Sequence, residues 1–154
     1  MIVRLSKLLL VTSVLCYVLY DIFSTLAAYS YLGSFEYEKS FLIKSAFELA
    51  GVPGFISIKM AVSMVAIVAA YLLMERYEQF RGLGVGVLSG ASIAGLFVGT
   101  SNMNILFQGS SIWLLGLDSG TIASIIICGC SLMGFLVPQS IVRRLYRPKP
   151  VEQT

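Results

Sequence analysis

Histidine is absent from this chain of 154 residues. That removes the commonest transition-metal ligand and the commonest general base. Charge is nearly as scarce: 12% of the residues are charged, against about 25% in soluble domains. The three cysteines, Cys16, Cys128 and Cys130, all lie inside apolar runs. Cys128-Gly-Cys130 lacks the further Cys or His that a metal or redox motif needs, so all three read as small buried apolar side chains. There is no nucleophile–base pair and no phosphate loop. A net charge of +3 is too small to imply nucleic acid. Neither a cofactor nor a metal is expected, and an enzyme is disfavoured.

Apolar residues are what the chain has in quantity: 57% of it, with a mean hydropathy of +0.86. A bilayer crossing needs about 20 mostly apolar residues, and four stretches supply them. The expected fold is an all-α integral membrane protein, one domain over residues 1–147. Its spans are expected at about 8–32, 55–74, 82–106 and 120–142, with a short flexible tail over 148–154. Arg4 and Lys7 before the first run resemble a signal peptide. The run is too long, holds an acid and lacks a well-placed small-x-small cleavage site, so it reads as a retained helix.

The first span is organised around Asp21. A charge near mid-membrane costs at least about 2.5 kcal/mol and needs a partner or a wet cavity. Tyr17, Asp21, Thr25 and Ala28 share one helical face, with Ser24 beside them. That face should look into the protein.

Between the first two spans, residues 39–50 either belong to an ordinary solvated loop or form a short amphipathic helix lying on the membrane surface. Gly51, Pro53 and Gly54 should end it. Lys59 opens the second span. It either snorkels to the surface or pairs with Asp21, Glu36 or Glu38. With the span starting at Phe55, Lys59 is roughly 6 Å deep and Asp21 roughly 16 Å. Direct contact then requires offset or tilted helices.

The third span is glycine-rich. Gly82, Gly86, Gly90 and Ala94 repeat every four residues, and Ala91, Gly95 and Gly99 form a second row. Such spacing lets helix backbones approach closely, against another part of this chain or another subunit. Its end is polar (Thr100, Ser101, Asn102, Asn104, Gln108), and Trp113 marks the interface. Residues 112–117 are too short to span and read as a re-entrant turn or cap. Asp118 or Ser119 caps the fourth span, and Pro138 kinks its end.

Basic residues set the orientation. Arg4, Lys7, Arg76, Arg81, Arg143, Arg144, Arg147 and Lys149 fall on one side, and only Lys39 and Lys44 on the other. Both termini are therefore expected in the cytoplasm, in a cell membrane of the helical-span type.

The set Asp21-Ile-Phe-Ser-Thr25, Glu36 and Lys59 resembles a group of small, uncharacterised prokaryotic four-helix membrane proteins. Their pattern is Asp-x-x-x-Thr, then Glu-x-Asn-Pro, then Lys. This chain departs from it at the Asn-Pro, where it has Glu38-Lys39. The resemblance covers about residues 17–60. It implies that Asp21, Glu36 and Lys59 act as one set, and it implies no activity.

The leading expectation is a non-catalytic accessory or structural subunit of a larger membrane complex. It would pack through the glycine-rich third span, with other membrane subunits or its own copies and the lipid bilayer as partners. The alternative is a small transporter or channel, homo-oligomeric or not, with Asp21 as an intramembrane ion or proton site. Tyr17, Thr25 and Asn102 would line its path. A third reading has Glu36 and Glu38 hold a divalent cation with Asp118; the plainer account is a solvated acidic loop.

Overall fold

The computed structural model describes residues 5–34, 40–138 and 140–142. Four helices dominate it, each long and apolar enough to cross a membrane. They are α1 (Leu5–Leu32), α2 (Phe41–Arg76), α3 (Arg81–Gln108) and α4 (Ser119–Leu136). A short 3-10 turn, Glu78–Phe80, links α2 to α3. Among the described residues the one extended pairing is the bridge between Leu114 and Leu117. The acidic part of the first connection and the basic tail lie outside this view: Glu36, Glu38, Lys39 and residues 143–154 are not among those described.

α2 begins 14 residues before the expected Phe55 start of its span. The chain is helical from Phe41, breaks at Gly51 (φ 61°, ψ −151°), and continues to Arg76. That backbone region is essentially restricted to glycine. Residues 41–50 are thus a separate helical piece, as the pattern before Gly51 and Pro53 implied. Pro53 does not end a helix here. It lies in the first turn of the second piece, where its missing N–H costs nothing.

α4 is shorter than expected, stopping at Leu136 rather than running to 142. Pro138 disfavours helical backbone in the residue before it, and Val137 is extended (φ −63°, ψ 126°). Helical backbone resumes at residues 140–142, so the proline interrupts the helix there.

α3 is the centre of the molecule, packing against all three other helices. Its glycines explain how. A methyl group on Gly82 would strike the carbonyl oxygen of Gly134, and one on Gly86 that of Cys130. The second row faces the other way: a methyl group on Gly95 would meet the backbone of Cys16 and Tyr17. One stripe seats α4 and the other seats α1, with Ala94 fully buried between them. Both rows are covered from within this chain. Val18, Ile22, Phe55, Ile67, Ala70, Met74 and Leu88 form the apolar core between α1, α2 and α3.

The cysteines are free, but none of the three is fully buried. Cys128 is exposed, while Cys16 and Cys130 are partly covered. α4 turns only one face to α3, and Cys128, two residues from Cys130, falls on the other.

A buried ion pair at the foot of a cleft

The site begins with a departure from ideal helix in α1. Residues Val14–Tyr20 are π-helical. Ser13 and Thr25 are both fully buried, yet they stand twelve residues apart. At roughly 100° per residue a plain α-helix would place them roughly 120° apart. Over the seven-residue π stretch the turn widens to i→i+5, about 80° per residue, and the difference vanishes. The segment thus turns Asp21, Ser24, Thr25 and Ala28 onto the same inward face as Ser6 and Ser13. All six are buried.

Asp21 meets Lys59 directly. The ammonium nitrogen of Lys59 lies 3.1 Å from Asp21 Oδ2. The two residues are 7% and 8% exposed. Depth made this pairing look difficult only because the span was started at Phe55. The second piece of α2 follows Gly51 instead, which places Lys59 about 12 Å along it. Its flexible stem covers the remaining distance to Asp21.

Thr25 is the hub of the cluster. Its hydroxyl donates to the Asp21 carbonyl oxygen at 2.7 Å, with Asp21 Oδ1 3.3 Å away. It accepts from Lys59 Nζ at 3.1 Å and from Asn102 Nδ2 at 3.1 Å. A hydroxyl offers one donor and two acceptor positions, and here all three are used. Asn102 also donates to Ser24 Oγ at 3.3 Å, and Ser24 bonds back to the Asp21 carbonyl oxygen at 3.0 Å. The Lys59 ammonium also lies over the Phe55 ring, 5.2 Å from the centroid. So α1, α2 and α3 are joined by one polar cluster. Among the described residues, no buried side-chain nitrogen or oxygen lacks a hydrogen-bond partner.

The cluster is not sealed off. Asp21, Thr25, Lys59 and Asn102 line a cleft of about 300 Å³. Val98 and Ile105 of α3 form an apolar wall, and Ser111, Trp113 and Asp118–Gly120 complete the lining. The connection between α3 and α4 is tied across this end of the molecule. The backbone N–H of Ile112 donates to buried Ser101 Oγ at 2.9 Å, and Asn104 Nδ2 donates to the Ser110 carbonyl oxygen at 3.0 Å. Leu114 and Leu117 exchange backbone hydrogen bonds at 3.1 and 2.9 Å around a tight turn. Leu115 there has φ 54° and is 93% exposed. Asp118 caps α4 by accepting from the N–H groups of Gly120 and Thr121 and from the Thr121 hydroxyl.

Of the residues singled out from the sequence, Asp21, Thr25, Lys59 and Asn102 come together. Tyr17 is half-buried one turn away and is not among the cleft-lining residues. Glu36 lies outside the described residues. Asp118, weighed as a cation ligand with Glu36 and Glu38, is engaged as the α4 cap. Phe55 was missed as the ring beneath Lys59, although its i, i+4 spacing on one helix was visible. Trp113 was read as an interface marker and also lines the cleft.

Comparison of the chain with protein-family models, with curated proteins and with solved structures finds no match.

Proposed function

We propose that this is a small multi-pass transporter-like membrane protein in which Asp21 and Lys59 form an intramembrane proton or cation site. One observation carries the reading: the buried Asp21–Lys59 pair stands on the wall of a cleft, not in a closed core. Ionisable groups within membrane spans commonly mark ion or proton paths. A proton reaching Asp21 would cancel the ion pair, while the Lys59 ammonium keeps its contacts with the Thr25 hydroxyl and the Phe55 ring. That gives the site two charge states with different contacts.

The membrane is read as a cytoplasmic one, with both termini in the cytoplasm, from eight basic residues against two in the connections. The helical piece 41–50 then lies along the outer surface. No enzymatic step is assigned to the chain.

A second reading keeps the protein as an accessory subunit. It is favoured by the completeness of the cluster: hydrogen bonds through Thr25 and Asn102 tie three helices together. Such a pair would fix packing without moving anything. The glycine face of α3 no longer argues for an outside partner, because α1 and α4 cover it.

Reconstitution separates the two. As a transporter, the purified protein alone relaxes an ion gradient in liposomes, and Asp21→Asn abolishes this. As a subunit, it is silent alone, and gentle extraction recovers it with other polypeptides at fixed stoichiometry.

A further inference from the structure

The surroundings of the Lys59 ammonium describe a ligand. It is held by a carboxylate oxygen at 3.1 Å, a hydroxyl oxygen at 3.1 Å and an aromatic ring at 5.2 Å. These are the parts with which a protein binds a primary ammonium group: charge-assisted acceptors and a ring face. The side chain filling this cradle reaches it on a flexible stem, and Asp21 and Lys59 both line the cleft. The same cleft carries an apolar wall at Val98 and Ile105 and an aromatic ring, Trp113.

We propose that the cleft binds a primary ammonium compound whose ammonium takes the place of Lys59 on Asp21. Its carbon body lies along Val98 and Ile105 toward Trp113. Lys59 is then a tethered competitor for the site. It keeps Asp21 neutralised when the cleft is empty and swings aside when the amine enters. The inference rests on the reading of the cleft as a cation site and names the class of cation.

Tethered competition has a signature that a purely structural ion pair does not share. Removing Lys59 should strengthen binding, because a site available only part of the time binds weaker by that fraction. With the vacant form populated to a tenth or less, Lys59→Met should tighten binding at least about tenfold.

Trp113 is the chain's one tryptophan, so intrinsic fluorescence reports on the cleft. The full-length protein is placed in nanodiscs of phosphatidylcholine alone and titrated with ethylammonium. The expected result is a saturable change in wild type, a tighter one in Lys59→Met, and none in Asp21→Asn. Tetramethylammonium, which has no N–H to give Asp21 or Thr25, should produce no saturable change. Nanodiscs containing phosphatidylethanolamine distinguish the source. If the headgroup is the ligand, these discs already show the shifted emission and blunt the response to soluble amine. If a free amine is the ligand, the two lipids give the same titration.

The proposal is overturned if wild type and Lys59→Met show no saturable change in either lipid, or if Lys59→Met binds more weakly than wild type. Proton flux that depends on Asp21 but without an amine response would leave the cation-site reading standing and remove this inference. Amine binding without flux in liposomes would do the reverse.

Discussion

The ammonium of Lys59 on α2 lies 3.1 Å from the carboxylate of Asp21 on α1, with both residues more than nine-tenths buried. This pair joins the one acid of α1 to the one base within residues 55–74. Losing a single partner from such a pair costs about 3–5 kcal/mol, whereas replacing both with apolar side chains of similar volume is often neutral. Asp21→Leu and Lys59→Met should each lower stability in mild detergent by an amount of that order. The double variant should recover most of it. Thermal or denaturant unfolding of the four proteins checks this, and equal, additive losses would mean that the two residues do not interact.

Thr25→Val keeps the shape of the hub and removes its hydroxyl. Lys59 Nζ and Asn102 Nδ2 each lose one acceptor while keeping Asp21 and Ser24, and each lost hydrogen bond costs about 0.5–1.5 kcal/mol. Thr25→Ser should cost much less, since it retains the oxygen. Similar unfolding midpoints for the two variants would remove Thr25 from the centre of the cluster.

The π-helical stretch makes a prediction about chain length. Deleting Leu15, which is exposed, would let α1 continue as plain α-helix. Ser13 and Thr25 would then be eleven residues apart, about 20° around the axis, and still on one face. The deletion should therefore fold and keep the Asp21–Lys59 pair. Deleting Ala27, beyond the π stretch, throws the end of α1 out of register and should be poorly tolerated. Protease resistance in membranes compares the two. Equal damage would mean that the π segment does not set the register.

Gly86→Leu tests how α3 uses its glycines. Even a methyl group there meets the carbonyl oxygen of Cys130, so a larger side chain must push α4 away. The expected outcome is a destabilised single chain, seen as a lower unfolding temperature, rather than a change from oligomer to monomer. A variant of unchanged stability that migrates at a smaller native size would place this face at a subunit interface.

The sequence carried much of this architecture, for identifiable reasons. Apolar length alone marks the helices. The small-residue rows of α3 were plain at a spacing of four, but spacing does not reveal which neighbour they meet. The inward face of α1 was legible at Asp21, Ser24, Thr25 and Ala28, because α-helical periodicity holds there. It was not legible across Val14–Tyr20, where the helix widens and breaks the period. Hydropathy places Lys59 nearer the start of its helix than it is. The cause was Gly51, whose unusual backbone starts the membrane-length helix earlier than hydropathy indicates. The cleft itself depends on how the α3–α4 connection folds over the helix ends, through Ser101 and Asn104. No local pattern encodes that.

The central claim is that the Asp21–Lys59 pair handles a proton or cation within the membrane. It is met most directly by purified protein in liposomes loaded with a pH-sensitive dye and challenged with a pH step. The account predicts gradient relaxation well above protein-free liposomes, lost in Asp21→Asn although that variant inserts and folds. Wild-type liposomes as tight as empty ones, with and without an added primary amine, would contradict it.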